Sequence, residues 1–167
     1  MDIKRILEQL EKYLEENLAT KSLSIFEDAV LRAAEAYPGT FESEMEDFIF
    51  SKKKPSFKSL LFRYIDERNL IDSEVYKKAG IDRRHFSKIR SNKDYRPGKN
   101  TVISLCLALE LTREEADALL ESCGFSLSSS EIFDLIIAFC LERKIYDIDT
   151  VNLILDHYNQ KPLQQFA

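Results

Sequence analysis

Apolar residues recur at three- and four-residue steps along nearly the whole chain, and no stretch alternates apolar with polar as a half-buried strand would. Only four glycines and four prolines interrupt the 167 residues. That spacing gathers apolar side chains on one side of successive helices and leaves no run from which a sheet could be built. The expected fold class is therefore all-α, a multi-helix bundle with an N-terminal helical extension.

The individual stripes place the helices. Ile3, Ile6, Leu7, Leu10, Leu14 and Leu18 predict a helix over residues 2–17, and Leu23, Phe26, Val30, Ala33, Ala34 and Tyr37 a second over 22–37, stopped by Pro38-Gly39. Thr40 is placed to cap a third, with Glu42, Glu44 and Glu46 near its positive N-terminal end and Met45, Phe48, Ile49 and Phe50 along it. The break comes at Ser51-Lys52-Lys53-Lys54-Pro55, where composition and charge change together. Three regions are expected: an acidic helical region over 1–51, a central domain over 52–124, and a C-terminal helical extension over 125–167 packed on it.

Within the central domain, helices are predicted over 56–68, 72–79, 82–91 and 101–111. Asp72-Ser73 and Asp82 are the expected N-caps. Thr112-Arg113-Glu114-Glu115 reads as a capping box opening a further helix that ends at Gly124. Two more helices are predicted over 129–143 and 149–158.

The net charge of -5 hides an asymmetry. Residues 52–100 carry 15 Lys/Arg against 6 Asp/Glu, whereas 1–51 carry 5 against 12 and 101–167 carry 4 against 11. A basic centre between two acidic flanks suits a nucleic-acid contact in the middle and a protein partner on the flanks. The alternative is a plain solvated or protein-docking face, and the basic excess over both flanks tips the balance toward nucleic acid.

Cys106, Cys123 and Cys140 are too scattered for a disulfide framework or a zinc cluster, so buried reduced thiols are expected. With His85 and His157 the only histidines, no metal site is expected. The Arg/His pairing in Arg83-Arg84-His85 lacks the base, metal carboxylates or second histidine that nuclease chemistry needs, so no catalytic residues, cofactor or enzymatic activity are expected. Acidic pairs such as Glu114-Glu115 and Asp147/Asp149 fall at helix starts, where capping accounts for them. No apolar run reaches the roughly 20 residues that cross a bilayer, and the N-terminus lacks the apolar core of a signal peptide. A cytoplasmic location without membrane contact is the expectation.

One stretch has a mechanism attached. A capped helix over 72–79, the turn Gly80-Ile81, and a second capped helix over 82–91 make a helix-turn-helix unit within residues 70–92. Val75, Ala79, Ile81, Phe86 and Ile89 are spaced to interlock as its core. The Gly80-Ile81-Asp82 turn, Phe86-Ser87-Lys88-Ile89 and the helices that follow to Gly124 make residues 56–124 resemble the Cro/C1-type (XRE) helix-turn-helix domain. Ile81-Asp82-Arg83-Arg84-His85-Phe86-Ser87-Lys88-Ile89-Arg90-Ser91-Asn92-Lys93-Asp94-Tyr95 is also similar to a bacterial helical module at the C-terminal end of some macrodomain proteins. That similarity continues through Phe133-Asp134-Leu135-Ile136 and Tyr146-Asp147-Ile148.

The Cro/C1-type resemblance implies double-stranded DNA as partner. Arg83, Arg84, Ser87 and Lys88 would face the major groove. Asp72-Ser73 and Lys77 or Lys78 would face the sugar-phosphate backbone, and Lys93, Arg96 and Lys99 would reach phosphates from the following loop. Tyr76 stands where the family keeps a small Ala, which would hold the two helices further apart, and Asp82 and Asp94 bring negative charge near the phosphates. His85 is expected on the helix surface, and Tyr95 either stacks on a base or packs over the bundle edge. The N-terminal stripe either covers the protein's own core or pairs two copies as a homodimer. The resulting expectation is a DNA-binding transcriptional regulator. Its rival is a helical adaptor that binds a protein within a bacterial stress or phage-defence system.

Overall fold

The computed structural model describes Arg32 and residues 40–163. The stripe over 2–17 lies outside the described residues, as does 22–37 apart from the helical Arg32, and with them the expectation of pairing through the first helix. Helix is the one regular secondary structure among the described residues. None of these helices is long and apolar enough to cross a membrane. The chain divides into two compact units between Lys53 and Lys54.

In the first unit the described element is α1, Thr40–Lys52. It begins at Thr40 itself rather than after it, with Glu42 in its first turn and Lys52 in its last, both favourable to the helix dipole. Met45, Phe48, Ile49 and Phe50 are all exposed on it.

The second unit runs through α2 (Phe57–Glu67), α3 (Asp72–Lys78), α4 (Arg83–Ser91), α5 (Lys99–Ala108), α6 (Arg113–Glu121), α7 (Ile132–Glu142) and α8 (Ile148–His157). Helix α5 is its centre. Every residue from Thr101 to Ala108 is buried, and α3, α6 and α8 all pack on it. The α2 helix rests on α6, and α7 rests on α6 and α8. One continuous core joins Leu61 of α2, Val75 of α3, Ile89 of α4, Leu119 of α6, Ile137 of α7 and Leu155 of α8. The C-terminal helices belong to the same hydrophobic cluster as the helices around Gly80.

Six of these helices stop in the same way. After α2, α3, α5, α6, α7 and α8 comes one residue with left-handed backbone: Asn69, Gly80, Glu110, Gly124, Lys144 and Asn159. The amide of the residue after it reaches back five positions, as in Leu70 N–H to Ile65 O (3.1 Å), Ile81 to Tyr76 (2.8 Å), Leu111 to Cys106 (3.0 Å) and Ile145 to Cys140 (2.8 Å). This is the Schellman closure, which satisfies carbonyls that a helix end would otherwise strand. The exception is α4, which runs out into extended backbone at Asn92.

Helix starts are set by side-chain caps. Ser56, Asp82, Thr112 and Asp147 each accept from a backbone amide in the first turn of the helix that follows. Thr112 and Glu115 form the expected capping box, with Glu115 Oε2 2.9 Å from the Thr112 amide. The Asp72-Ser73 cap is not formed. Ile71 is the N-cap residue, and Glu74 receives its amide at 3.1 Å, leaving the Asp72 carboxylate for another partner. Helix α7 begins at Ile132 rather than 129 because residues 125–131 form a loop held by Asp134. That buried carboxylate accepts from the Ser128 amide (2.7 Å) and from Lys99 Nζ (2.6 Å).

Candidate nucleic-acid interface

The α3–α4 corner is built on Gly80. Its φ of 63° is sterically free for glycine and costly for other residues, and it closes α3 in time for Ile81 to enter the core. Asp82 then caps α4 through a 2.6 Å bond from the Arg84 amide to Oδ1. The negative charge beside the basic strip is thereby committed to the helix start.

Helix α4 is divided lengthwise. Phe86 and Ile89 are buried, and Phe86 meets Phe62 edge-on at 6.3 Å and Tyr76 at 5.9 Å between ring centroids. Tyr76 is accommodated as an aromatic wall for Phe86. At about 100° per residue, Arg83, Arg84, Ser87, Lys88 and Ser91 cover an arc of about 140° centred opposite those two anchors. All five are exposed. Arg83, Arg84 and Lys88 make no ion pair among the described residues, and neither do Lys77, Lys93 and Arg96, which are also exposed.

The remaining expected contacts separate from this group. Lys78 pairs with Glu110 at 3.3 Å, and Lys99 is tied to the buried Asp134. Both have structural partners. Ser73 is half-buried and lines a cleft of about 410 Å³ between α3 and α4, together with Tyr76, Arg83 and Ser87.

Two pairings that sequence spacing does not reveal hold the exposed strip in place. Arg90 grips Asp72 through a 2.6 Å hydrogen bond from Nη2 to Oδ1 and a 2.6 Å ion-pair contact of Nε with Oδ2, while its guanidinium lies 4.4 Å from the centroid of Phe62. This fork joins the start of α3, the end of α4 and the side of α2. The Asp72 carboxylate holds the Arg90 guanidinium above its usual pKa range. On the other side of α4, the half-buried His85 and Tyr95 meet at 2.8 Å between Nε2 and the phenol oxygen, rings edge-on at 5.7 Å. Tyr95 thus packs over the bundle edge, and with buried Pro97 it fixes the loop carrying Lys93 and Arg96.

Chemically, the corner offers guanidinium, ammonium and hydroxyl donors on a rigid support. Among the described residues no group of three or more His, Cys, Asp or Glu gathers into a metal-binding cluster. All three cysteines are free and buried, and burial pushes each thiol pKa upward. Comparison with protein-family models, curated proteins and solved structures finds no match to this chain.

Proposed function

We infer that this chain is a DNA-binding protein, a transcriptional regulator whose α3–α4 corner acts as a Cro/C1-like helix-turn-helix. Helix α4 lies in the major groove, with Arg83, Arg84, Ser87 and Lys88 toward base edges. Lys77 and the Lys93–Arg96 loop reach phosphates. One observation carries the reading: every polar side chain on the outward arc of α4 is exposed, and its three cations are left without ion-pair partners among the described residues. Surrounding cations at Lys54, Arg68, Lys78, Arg90 and Lys99 are matched by carboxylates. The cations left unpaired on α4 therefore share one exposed arc, a feature that suits contact with an anionic duplex.

Titration of the full chain against random-sequence duplex DNA across a salt series tests this. Binding should weaken linearly on a log–log plot. The slope should fall by about 0.9 for each phosphate that a folded Arg83→Ala/Arg84→Ala/Lys88→Ala variant no longer neutralises. Any arginine that reads guanine instead should show a loss of about 1–3 kcal/mol restricted to its preferred sequence. Equal binding by the triple variant and the wild type would refute the assignment. A second reading, a protein-binding adaptor, draws support from α1, where Glu42, Glu44, Glu46 and Asp47 share an exposed helix with Met45, Phe48, Ile49 and Phe50. A chain that ignores duplex DNA at low salt would favour it.

A further inference from the structure

Apart from Asp134 and Glu142, helix α7 is apolar on its outward as well as its inward side. Ile136, Ile137, Ala138, Cys140 and Leu141 face the core, yet Ile132, Leu135 and Phe139 on the opposite side are 54 %, 49 % and 50 % exposed. A helix with this composition is normally covered all round. The outward residues have an order of their own. Glu131, Leu135, Phe139 and Arg143 follow one another at four-residue steps, so they form one ridge along the helix surface, acidic at its start, apolar in the middle and basic at its end. Arg143 already leans back over the Phe139 ring, 5.6 Å from its centroid.

Such a ridge is complementary to itself when reversed. We propose that α7 is the interface of a two-fold homodimer in which the helix packs antiparallel against its copy, centred near Ile137. Leu135 then meets the partner's Phe139, and Glu131 meets the partner's Arg143, with both contacts repeated by the symmetry. The apolar pairs leave water together, and each end of the ridge is closed by opposite charges. Glu131 makes no side-chain cap bond to its own helix, so its carboxylate is available for this role. The dimer does not depend on the nucleic-acid reading, because α4 contributes nothing to it.

Light scattering and sedimentation of the full chain over a broad concentration range test the proposal. The wild type should approach twice the monomer mass. Leu135→Lys should weaken association on the order of tenfold or more. The charge variants provide the sharper arm, since surface changes at Glu131 and Arg143 leave the core untouched. Glu131→Arg alone and Arg143→Glu alone each place two like-charge pairs in their own homodimer and should be largely monomeric. Mixed together, the two chains match at both ends and should form a heterodimer. A wild type that stays monomeric overturns the proposal, including one that instead floats with anionic phospholipid vesicles, which would give the stripe to a bilayer surface. So does a dimer indifferent to Leu135→Lys and to both charge reversals.

Discussion

Lys144 and Glu110 occupy left-handed backbone that an L side chain enters at a cost of roughly 1–2 kcal/mol. Glu110 recovers part of that through Lys78, whereas Lys144 is exposed and makes no ion pair among the described residues. Lys144→Gly should therefore stabilise the protein by about 1 kcal/mol, read as a higher urea midpoint at unchanged slope. Ser104 provides a second test at this scale. Its hydroxyl is fully buried in the middle of α5 and has no hydrogen-bond partner among the described residues. Ser104→Ala removes an orphaned polar group in favour of a better helix former, and should raise stability by about 1 kcal/mol. Any drop in stability there would mean that the hydroxyl is satisfied in solution. The left-handed residues also explain where sequence reading misplaces helix ends. Gly80 announces its turn by composition, but Glu110 is an ordinary helix former, so the helix expected to run to 111 stops at Ala108, whereas the end expected at 143 falls within one residue of Glu142. What gives such stops away is the apolar residue that follows, Leu111 or Ile145, which must turn inward while its amide reaches back into the preceding turn.

Between elements, the fork from Arg90 to Asp72 fixes α3 against α4. Its side chains are 55 % and 34 % exposed, so solvent screens the pair, and a double-mutant cycle of Asp72→Ala and Arg90→Ala should give a coupling of only about 0.5–1 kcal/mol. On the proposed DNA-binding reading, the double variant should also weaken duplex binding in the salt titration, because the start of α3 and the outer arc of α4 lose their common brace. The cap of α8 makes a pH-dependent contribution. Asp147 accepts from the Thr150 hydroxyl at 2.7 Å and the Thr150 amide at 2.9 Å, and these bonds hold its carboxyl below the usual carboxylate range. A carboxyl depressed by folding contributes stability that is complete above its unfolded pKa near ~3.9 and lost as pH falls through the lower folded value. Asp147→Asn should flatten that part of the acid side of a Tm-against-pH curve. Caps of this kind are legible because Ser, Thr and Asp bond to amides only two or three positions away. The Asp72–Arg90, Tyr95–His85 and Lys99–Asp134 pairings span 10 to 35 residues and depend on how helices cross, which no local pattern encodes.

For the second unit as a whole, the shared core governs behaviour. Ile137, Leu141, Val151 and Leu155 lie in one cluster with Leu105 and Leu119, so removing everything after Gly124 strips apolar cover from the helices that remain. A chain ending at Gly124 should lose cooperative thermal unfolding by circular dichroism, whereas residues 54–163 should unfold in a single transition. Asp134→Ala tests the same integration through one polar link. It leaves the Ser128 amide without its acceptor, while Lys99, 30 % exposed, can turn to water, and should cost about 1–3 kcal/mol, the range for a buried polar group left unsatisfied. The all-helical architecture can be read from apolar spacing alone. The central place of α5 is suggested by its unbroken apolar composition, but the reach of α7 and α8 into the same core cannot be inferred from amphipathicity, which names a face without naming its neighbour.

The deep seat of α5 has a practical corollary. Cys106 sits inside a helix sheathed on all sides, with its thiol pKa driven upward by burial, so a thiol-reactive dye meets a reactive sulfur there only during moments when the sheath parts. The labelling rate of that one sulfur would serve as an internal clock for such openings, and would let the firmness of the whole assembly be followed without denaturant.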